Sequence, residues 1–430
     1  MKHTDTISPT IARRLVIMRQ HLAGRRAPAN SEGMMDVMRD IRYLQLDPMR
    51  IVAPSHTLVL WSRLGPYDTS LLDKLLWKER RLFEDWAQAT SIVLTEDYPI
   101  FEALKLGFAA GDTSWALKIR KWMNENKRFS TYILKELSHN GPLPSKQIED
   151  RAVVDWSSSG WTSGRNVDMM LFFLKAQGKI MVAGRVGNQK LWDRTEHFLP
   201  EWVPMEKLSE HEVAYRATQI SLRSLGVARA EHIKRHYIRG CYHELDKVLA
   251  ELEAEESVFR VEIQNDEGKS WHDPWFVHVN DLPLLHRLEA GEWKPRTTLL
   301  SPFDNLICDR QRIEQVFNFS FRFEVYVPKS KRKFGCYVMP ILHGDHFIGR
   351  VDPIMDRKNS RLIINAIHTE SDALESELTS QAVVKAIEEL SVFLGAKEIA
   401  CGSCVPESWR RMFHIDSQNE HAKPALKRTF

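Results

Sequence analysis

Apolar residues return at Ile11, Leu15, Met18 and Leu22, the spacing of a helical stripe, while Arg13, Arg14 and Arg19 fall outside it. A second helix is expected from Glu32 to Arg42. The period then changes: Leu44 and Leu46 alternate with Gln45 and Asp47, Pro48 interrupts, and Thr57-Leu-Val-Leu-Trp61 reads as a strand. Helical spacing resumes from Ser70 to Arg81. Between Thr131 and Asp193 the pattern is more complete. A helix from Thr131 stops at Asn140-Gly141-Pro142, Ser145 can cap a short helix over residues 146–149, and Ser163-Gly164 opens a longer helix from Arg165 to Gln177. Two strands around a turn at Gly184 to Asn188 follow. Helices and then a hairpin are the order of a winged helix.

That order recurs. Helices are expected over Glu212–Leu225, Ala230–Tyr237 and Tyr242–Glu253, and then a hairpin from Val258–Gln264 and Trp271–Val279 over Asn265-Asp-Glu-Gly268. No repeat of the residues themselves accompanies the recurrence. Beyond Pro295 the texture becomes β, with strands expected at Phe321–Val327, Phe334–Leu342, Phe347–Val351 and Leu362–His368. Gln381 to Leu394 supplies one covering helix, with Val384, Ile387 and Val392 among its apolar positions. The expected fold class is therefore α+β: tandem winged-helix units followed by a small antiparallel β-barrel with a covering helix. The corresponding division is a winged-helix-like unit over 1–125, winged helices over 126–205 and 206–290, and the barrel domain over 291–430.

Composition changes this picture little. The chain has 430 residues, 43% hydrophobic and 27% charged, which is ordinary for globular proteins and long enough for about three domains. The longest apolar run, Met169 to Leu174, is far short of the roughly 20 residues of a membrane span. No apolar stretch follows Met1, so no secretory signal is expected, and with no long apolar run no membrane partner is expected either. Five scattered cysteines fit a reducing cytoplasm better than a disulfide scaffold. The net charge of +3 neither demands nor excludes nucleic acid.

Candidate chemistry begins at Leu44-Gln45-Leu46-Asp47-Pro48. The residue before a proline is held extended, and in an extended segment Gln45 and Asp47 project from one side while Leu44 and Leu46 face a core. An amide beside a carboxylate can hold a water; the carboxylate can take its proton or face a developing positive charge. The same spacing also suits a surface strand whose aspartate merely starts a turn. Basic residues gather at Arg223, Arg229, Lys234, Arg235 and Arg239, with His232 and His236 among them, as a DNA-binding face or a solvated one. The helix expected to read a groove is acidic instead (Glu244, Asp246, Glu251, Glu253), and phosphates would repel it. Lys331, Arg332 and Lys333 belong to a second cluster, expected at a hairpin tip, which suits a phosphate or protects a sheet edge. Cys401-Gly-Ser-Cys404 is half of a zinc-knuckle or redox spacing with no second pair. His343-Gly-Asp-His346 reads as a hairpin turn. No metal or cofactor is called for.

Several segments carry a resemblance when taken together. Gln45-Leu-Asp47, Ile51-Val-Ala-Pro-Ser-His56, Leu58-Val-Leu-Trp-Ser-Arg-Leu-Gly65, Trp86-Ala-Gln-Ala-Thr90, Leu300-Ser-Pro-Phe-Asp304, Phe323-Glu-Val-Tyr-Val-Pro328 and Gly349-Arg-Val-Asp352 resemble the signature of the YcaQ/AlkZ-type winged-helix DNA glycosylases. The resemblance spans nearly the whole chain. It implies tandem winged helices and a small β-barrel around a concave DNA-binding face. It also implies removal of bulky alkylated purines from double-stranded DNA, including the unhooking of interstrand crosslinks, by a cytoplasmic monomer associated with the bacterial nucleoid. Gln45 and Asp47 match the family's catalytic motif in its Gln-x-Asp form. Gln88 stands where the tryptophan motif often has histidine. The competing class is a non-catalytic winged-helix DNA-binding protein or regulator, which would prefer one sequence and typically bind as a symmetric dimer.

Overall fold

Side-chain caps start three of the helices, one to two residues ahead of where the apolar spacing alone begins them. In the computed structural model, which describes residues 5–157, 165–265, 267–271, 274–370, 377–405 and 409–410, the Ser8 hydroxyl accepts from the Ile11 amide at 3.2 Å and opens Pro9–Arg19. The Asn30 carboxamide accepts from Gly33 at 2.9 Å and opens Ser31–Ile41. Ser209 and Glu212 form a reciprocal capping box at the head of Glu210–Leu225. The chain folds into two compact units, each discontinuous in sequence: one comprises residues 1–21, 27–46 and 68–292, the other 22–26, 47–67 and 293–430. No helix of the described residues is long and apolar enough to cross a membrane.

The first unit holds three small sheets. Tyr43–Gln45, Thr90–Leu94 and Leu82–Trp86 form an antiparallel sheet with Thr90–Leu94 in the middle. Leu143–Pro144, Gln189–Arg194 and Ile180–Val186 form a second, in which a hairpin follows helices Lys127–Asn140 and Asn166–Ala176. Ser163 and Gly164, expected to open that second helix, lie outside the described residues. Val227–Ala228, Trp275–His278 and Val258–Ile263 form the third, which Asp5–Ile7 joins in parallel. One core packs Tyr43, Phe83, Val93 and Phe101 against Leu222, Tyr237 and Leu249; another gathers Trp122, Phe129, Trp156 and Phe173.

The second unit is built on one five-stranded sheet in the order Thr297–Leu299, Met339–His343, His346–Asp356, Arg361–Thr369 and Glu398–Cys404. The helix Glu377–Leu394 covers it, with Val383, Ile387 and Leu390 packed on Met339, Ile341 and Leu362. The turn between His343 and His346 is the expected hairpin.

Several expectations are corrected. Residues 55–64 are helical, not a strand: Pro54 starts the helix, and every residue from Thr57 to Leu64 is buried, so no polar face reveals the helical period. Ser70–Asp73 continues as a π-helical turn over Lys74–Lys78 rather than one regular helix to Arg81. In the second unit the sheet is mixed, because Glu398–Cys404 pairs in parallel with Arg361–Thr369, and among the described residues its first and last strands do not pair to close a barrel. Residues 321–327 form no strand. There the Glu324 carboxylate accepts from the amides of Lys333 (3.1 Å), Phe334 (2.8 Å) and Gly335 (3.2 Å), and a side chain does the work of a ladder. Val392, expected among the apolar positions of the covering helix, is 67% exposed.

Candidate active site

The Gln-x-Asp motif lies where the chain leaves one unit and enters the other: Leu46 ends a stretch of the first, and Asp47 begins a stretch of the second. In the first unit Gln45 closes its short strand in register with Ser91, which in turn pairs with Asp85. Gln45 is half-buried, Leu44 fully buried, and Leu46 only half-buried, so the expected inward pointing holds for Leu44 alone. The ladder runs one residue further, with the Leu46 amide donating to the Thr90 carbonyl at 2.8 Å. Asp85 anchors this sheet. Burial alone would raise its pKa, but Lys105 in direct contact and Lys175 at 3.8 Å hold it below the usual carboxylate range.

In the second unit the Asp47 carboxylate is half-buried and accepts from the Met49 amide at 2.8 Å. Burial pushes its pKa up, and the amide only partly opposes this. The buried Tyr337 phenol lies within reach of that charge: its own pKa is raised first by burial and then by Asp47, against a hydrogen bond with Ser301 at 3.4 Å. Tyr337, hydrogen-bonded to Ser301 of a quoted segment, thus feels the Asp47 charge, which the motif alone did not point to. Nearby, Gly335 has φ +141°, and a Cβ there would lie 2.3 Å from the Asp352 carboxyl carbon, so glycine is required.

The quoted segments are also structural. Arg63 grips Asp304 with both guanidinium ends, neither side chain being exposed. Arg350 pairs with Glu370 and stacks over Phe319 and Phe334, each 4.3 Å from the ring centre.

The basic candidates divide. Arg229 caps the start of the short helix Ala230–Arg235, which carries Lys234 and Arg235, and Arg239 follows in the turn after it; Lys234 and Arg239 are exposed, while Arg229 pairs with Glu231 at 3.1 Å. His232 and His236, 2% and 5% exposed, belong to the interior and not to that face. Arg223 lies on the longer helix and lines a cavity of about 260 Å³ with Arg216, Gln219, Asp97, His278 and Asn280. The acidic helix Leu245–Ala254 is tied down by its own unit: Glu251 meets His211 at 2.7 Å and Glu253 meets Arg260 at 2.7 Å.

Lys331, Arg332 and Lys333 do not sit at a hairpin tip. Lys329–Lys331 is a 3₁₀ turn, and the Arg332 guanidinium donates to the carbonyls of Val327 (2.8 Å) and Val325 (3.2 Å), closing the loop upon itself. Lys331 and Lys333 remain exposed beside Tyr326, which is 89% exposed. Cys401 and Cys404 lie on the edge strand Glu398–Cys404.

This arrangement of small sheets and helices is shared with a solved DNA glycosylase. The structure is similar to that of Streptomyces sahachiroi DNA glycosylase AlkZ, with a TM-score of 0.63 and 15% identity, over 94% of this chain and 100% of that one. Residues 38–393 match the family described as DNA glycosylase AlkZ-like, and the chain belongs to that family.

Proposed function

We propose that the protein is a monofunctional DNA glycosylase that hydrolyses the N-glycosidic bond of N7-alkylated purines and unhooks interstrand crosslinks, leaving abasic sites. The observation that carries this reading is Asp47, a half-buried carboxylate with a raised pKa, two residues from an amide in the expected motif. A purine alkylated at N7 already bears positive charge, so its bond to the sugar can break without a general acid. The bonding pair moves to N9 and neutralises the ring, leaving a sugar that resembles an oxocarbenium ion. Water adds at C1′ and gives its proton to Asp47, which returns it to solvent. Gln45 orients the water. Duplex DNA would be held by Arg223, Arg229, Lys234, Arg235 and Arg239 and by Lys331 and Lys333; Arg332, occupied inside its loop, is assigned to shape.

The repeated order of helices and hairpin supports reading residues 126–205 and 206–290 as winged helices, with 1–125 as a related unit whose residues 22–26 and 47–67 belong with the sheet domain of 291–430. A regulator reading one sequence through helix 245–254 is the weaker alternative, because that helix presents carboxylates already engaged by its own unit. The test is incubation with duplexes containing N7-methylguanine or a nitrogen-mustard crosslink, followed by alkaline cleavage. Strand scission at the lesion is the expected result; sequence-selective binding without scission would favour the regulator.

A further inference from the structure

Trp86 is a large apolar side chain left in water, 65% exposed at the end of strand Leu82–Trp86. It is not loosely held. Its amide donates to the Asp85 carboxylate at 2.8 Å, and that carboxylate is locked by Lys105 and Lys175. Just beyond, the Ala87 amide bonds the Ala89 carbonyl at 2.9 Å and closes a tight turn. In the same turn the Gln88 side-chain oxygen is shielded from solvent and has no hydrogen-bond donor. A buried acceptor without a donor is costly unless a ligand supplies one.

Register locates this turn relative to the motif. Trp86 pairs with Thr90, and the Thr90 carbonyl takes the Leu46 amide, so one row runs Leu46, Thr90, Trp86 across three strands. Two strand spacings put the Trp86 backbone about 10 Å from that of Leu46. Nucleotides along one strand are about 3.4 Å apart. Alternation puts Trp86 on the sheet face opposite Gln45. The indole therefore suits a base one to three nucleotides from the lesion and not the lesion itself. An enzyme that acts on a base in a duplex pays to unstack and unpair that base, and exposed aromatic rings receive unpaired bases regardless of their identity.

We propose that Trp86 is a stacking platform for an unpaired base flanking the damaged nucleotide. The proposal rests on the glycosylase reading above. It is tested with the full chain carrying Trp86→Ala or Trp86→Phe, by binding to a single-stranded oligonucleotide and to undamaged duplex, and by kcat/KM for release of N7-methylguanine. Trp86→Ala should weaken single-strand binding and lower kcat/KM, each by about 5- to 100-fold. Binding of undamaged duplex should stay within about twofold of the parent, since no base is unpaired there. Trp86→Phe should recover most of the loss, which a merely structural role would not require. Unchanged melting shows that each variant folds. Single-strand binding and base release both near the parent's would overturn the proposal, as would a loss shared equally by intact duplex or a binding loss without any effect on base release. If the parent releases no base from any lesion, the glycosylase reading fails, and the single-strand comparison alone decides whether Trp86 stacks.

Discussion

Arg63 and Asp304, 241 positions apart in the chain, form a two-pronged ion pair with no exposure of either side chain. Arg63 Nη1 also donates to the Ser62 hydroxyl at 2.7 Å, and Asp304 Oδ1 also accepts from the Leu306 amide at 3.0 Å, so each member of the pair is held by a further bond as well. Breaking such a pair from one side strands a charge in the interior. Arg63→Met or Asp304→Asn should each cost about 3–5 kcal/mol in urea unfolding. The double replacement Arg63→Met with Asp304→Leu should recover part of that. Single variants as stable as the parent would show that the pair does not hold the second unit together.

Asp47→Asn keeps the acceptor for the Met49 amide but removes charge and base. Base release should fall by roughly two to four decades, with DNA affinity nearly unchanged. Because burial disfavours the ionised carboxylate, the variant should melt at or above the parent temperature. Near-normal base release would remove Asp47 from the mechanism.

The same burial sets the acid limb of activity. The folded pKa of Asp47 is raised, so its ionised form is lost at higher pH than for an ordinary carboxylate, and base release should fall as pH drops through that raised value. The leaving base needs no enzyme acid, so no basic limb is expected up to about pH 8.5. A bell-shaped profile with verified intact substrate would mean that a second residue donates a proton.

Charge at the two basic regions can be separated from shape. Neutralising Lys234 and Arg239, both exposed, should reduce the slope of log affinity against log salt by about two. Neutralising Lys331 and Lys333 tests the loop beside Tyr326 in the same way. Arg332→Ser should instead loosen residues 325–333, measured as faster proteolysis there, because its guanidinium bonds that loop's own carbonyls. An unchanged slope in either double variant would turn that surface away from DNA.

His278 makes the first unit sensitive to acid. Burial first, then Arg223 and Arg19, lowers its pKa to about 4. Its Nδ1 accepts from the Asn280 amide at 3.1 Å, and its Nε2 meets Gln219 at 3.3 Å. The unfolded chain takes up the proton near pH 6.5 and the folded one only near 4, so stability is lost as pH falls between them, by at most about 3 kcal/mol. His278→Gln should flatten that part of the stability profile. An identical slope in both proteins would refute the assignment.

How much of this could be read from residues alone depended on how local the cause was. The stop of the helix Lys127–Asn140 at Gly141, the hairpin at His343–His346 and the extended backbone at Gln45 follow from turn chemistry and the proline rule, which act over a few residues. The family signature was legible as a set of segments; that Arg63 and Asp304 within it are each other's partners, and that Glu324 and Arg350 bind Lys333–Gly335 and Glu370, was not. What only the tertiary structure decided was anything set by burial on all sides or by distant partners. The segment Thr57–Leu64 is helical because it is enclosed, and enclosure erased the polar stripe that marks a helix. Glu398–Cys404 became a strand through parallel pairing with Arg361–Thr369, a contact that leaves no hairpin signal between them. Arg332 and Lys333 are neighbours of like charge, yet one closes a loop and the other faces solvent, since carbonyl groups at Val325 and Val327 came within reach only after folding. Trp86 was visible as a letter in a motif; that it stands in water on a braced strand end is a consequence of Asp85, Lys105 and Lys175 meeting in the core.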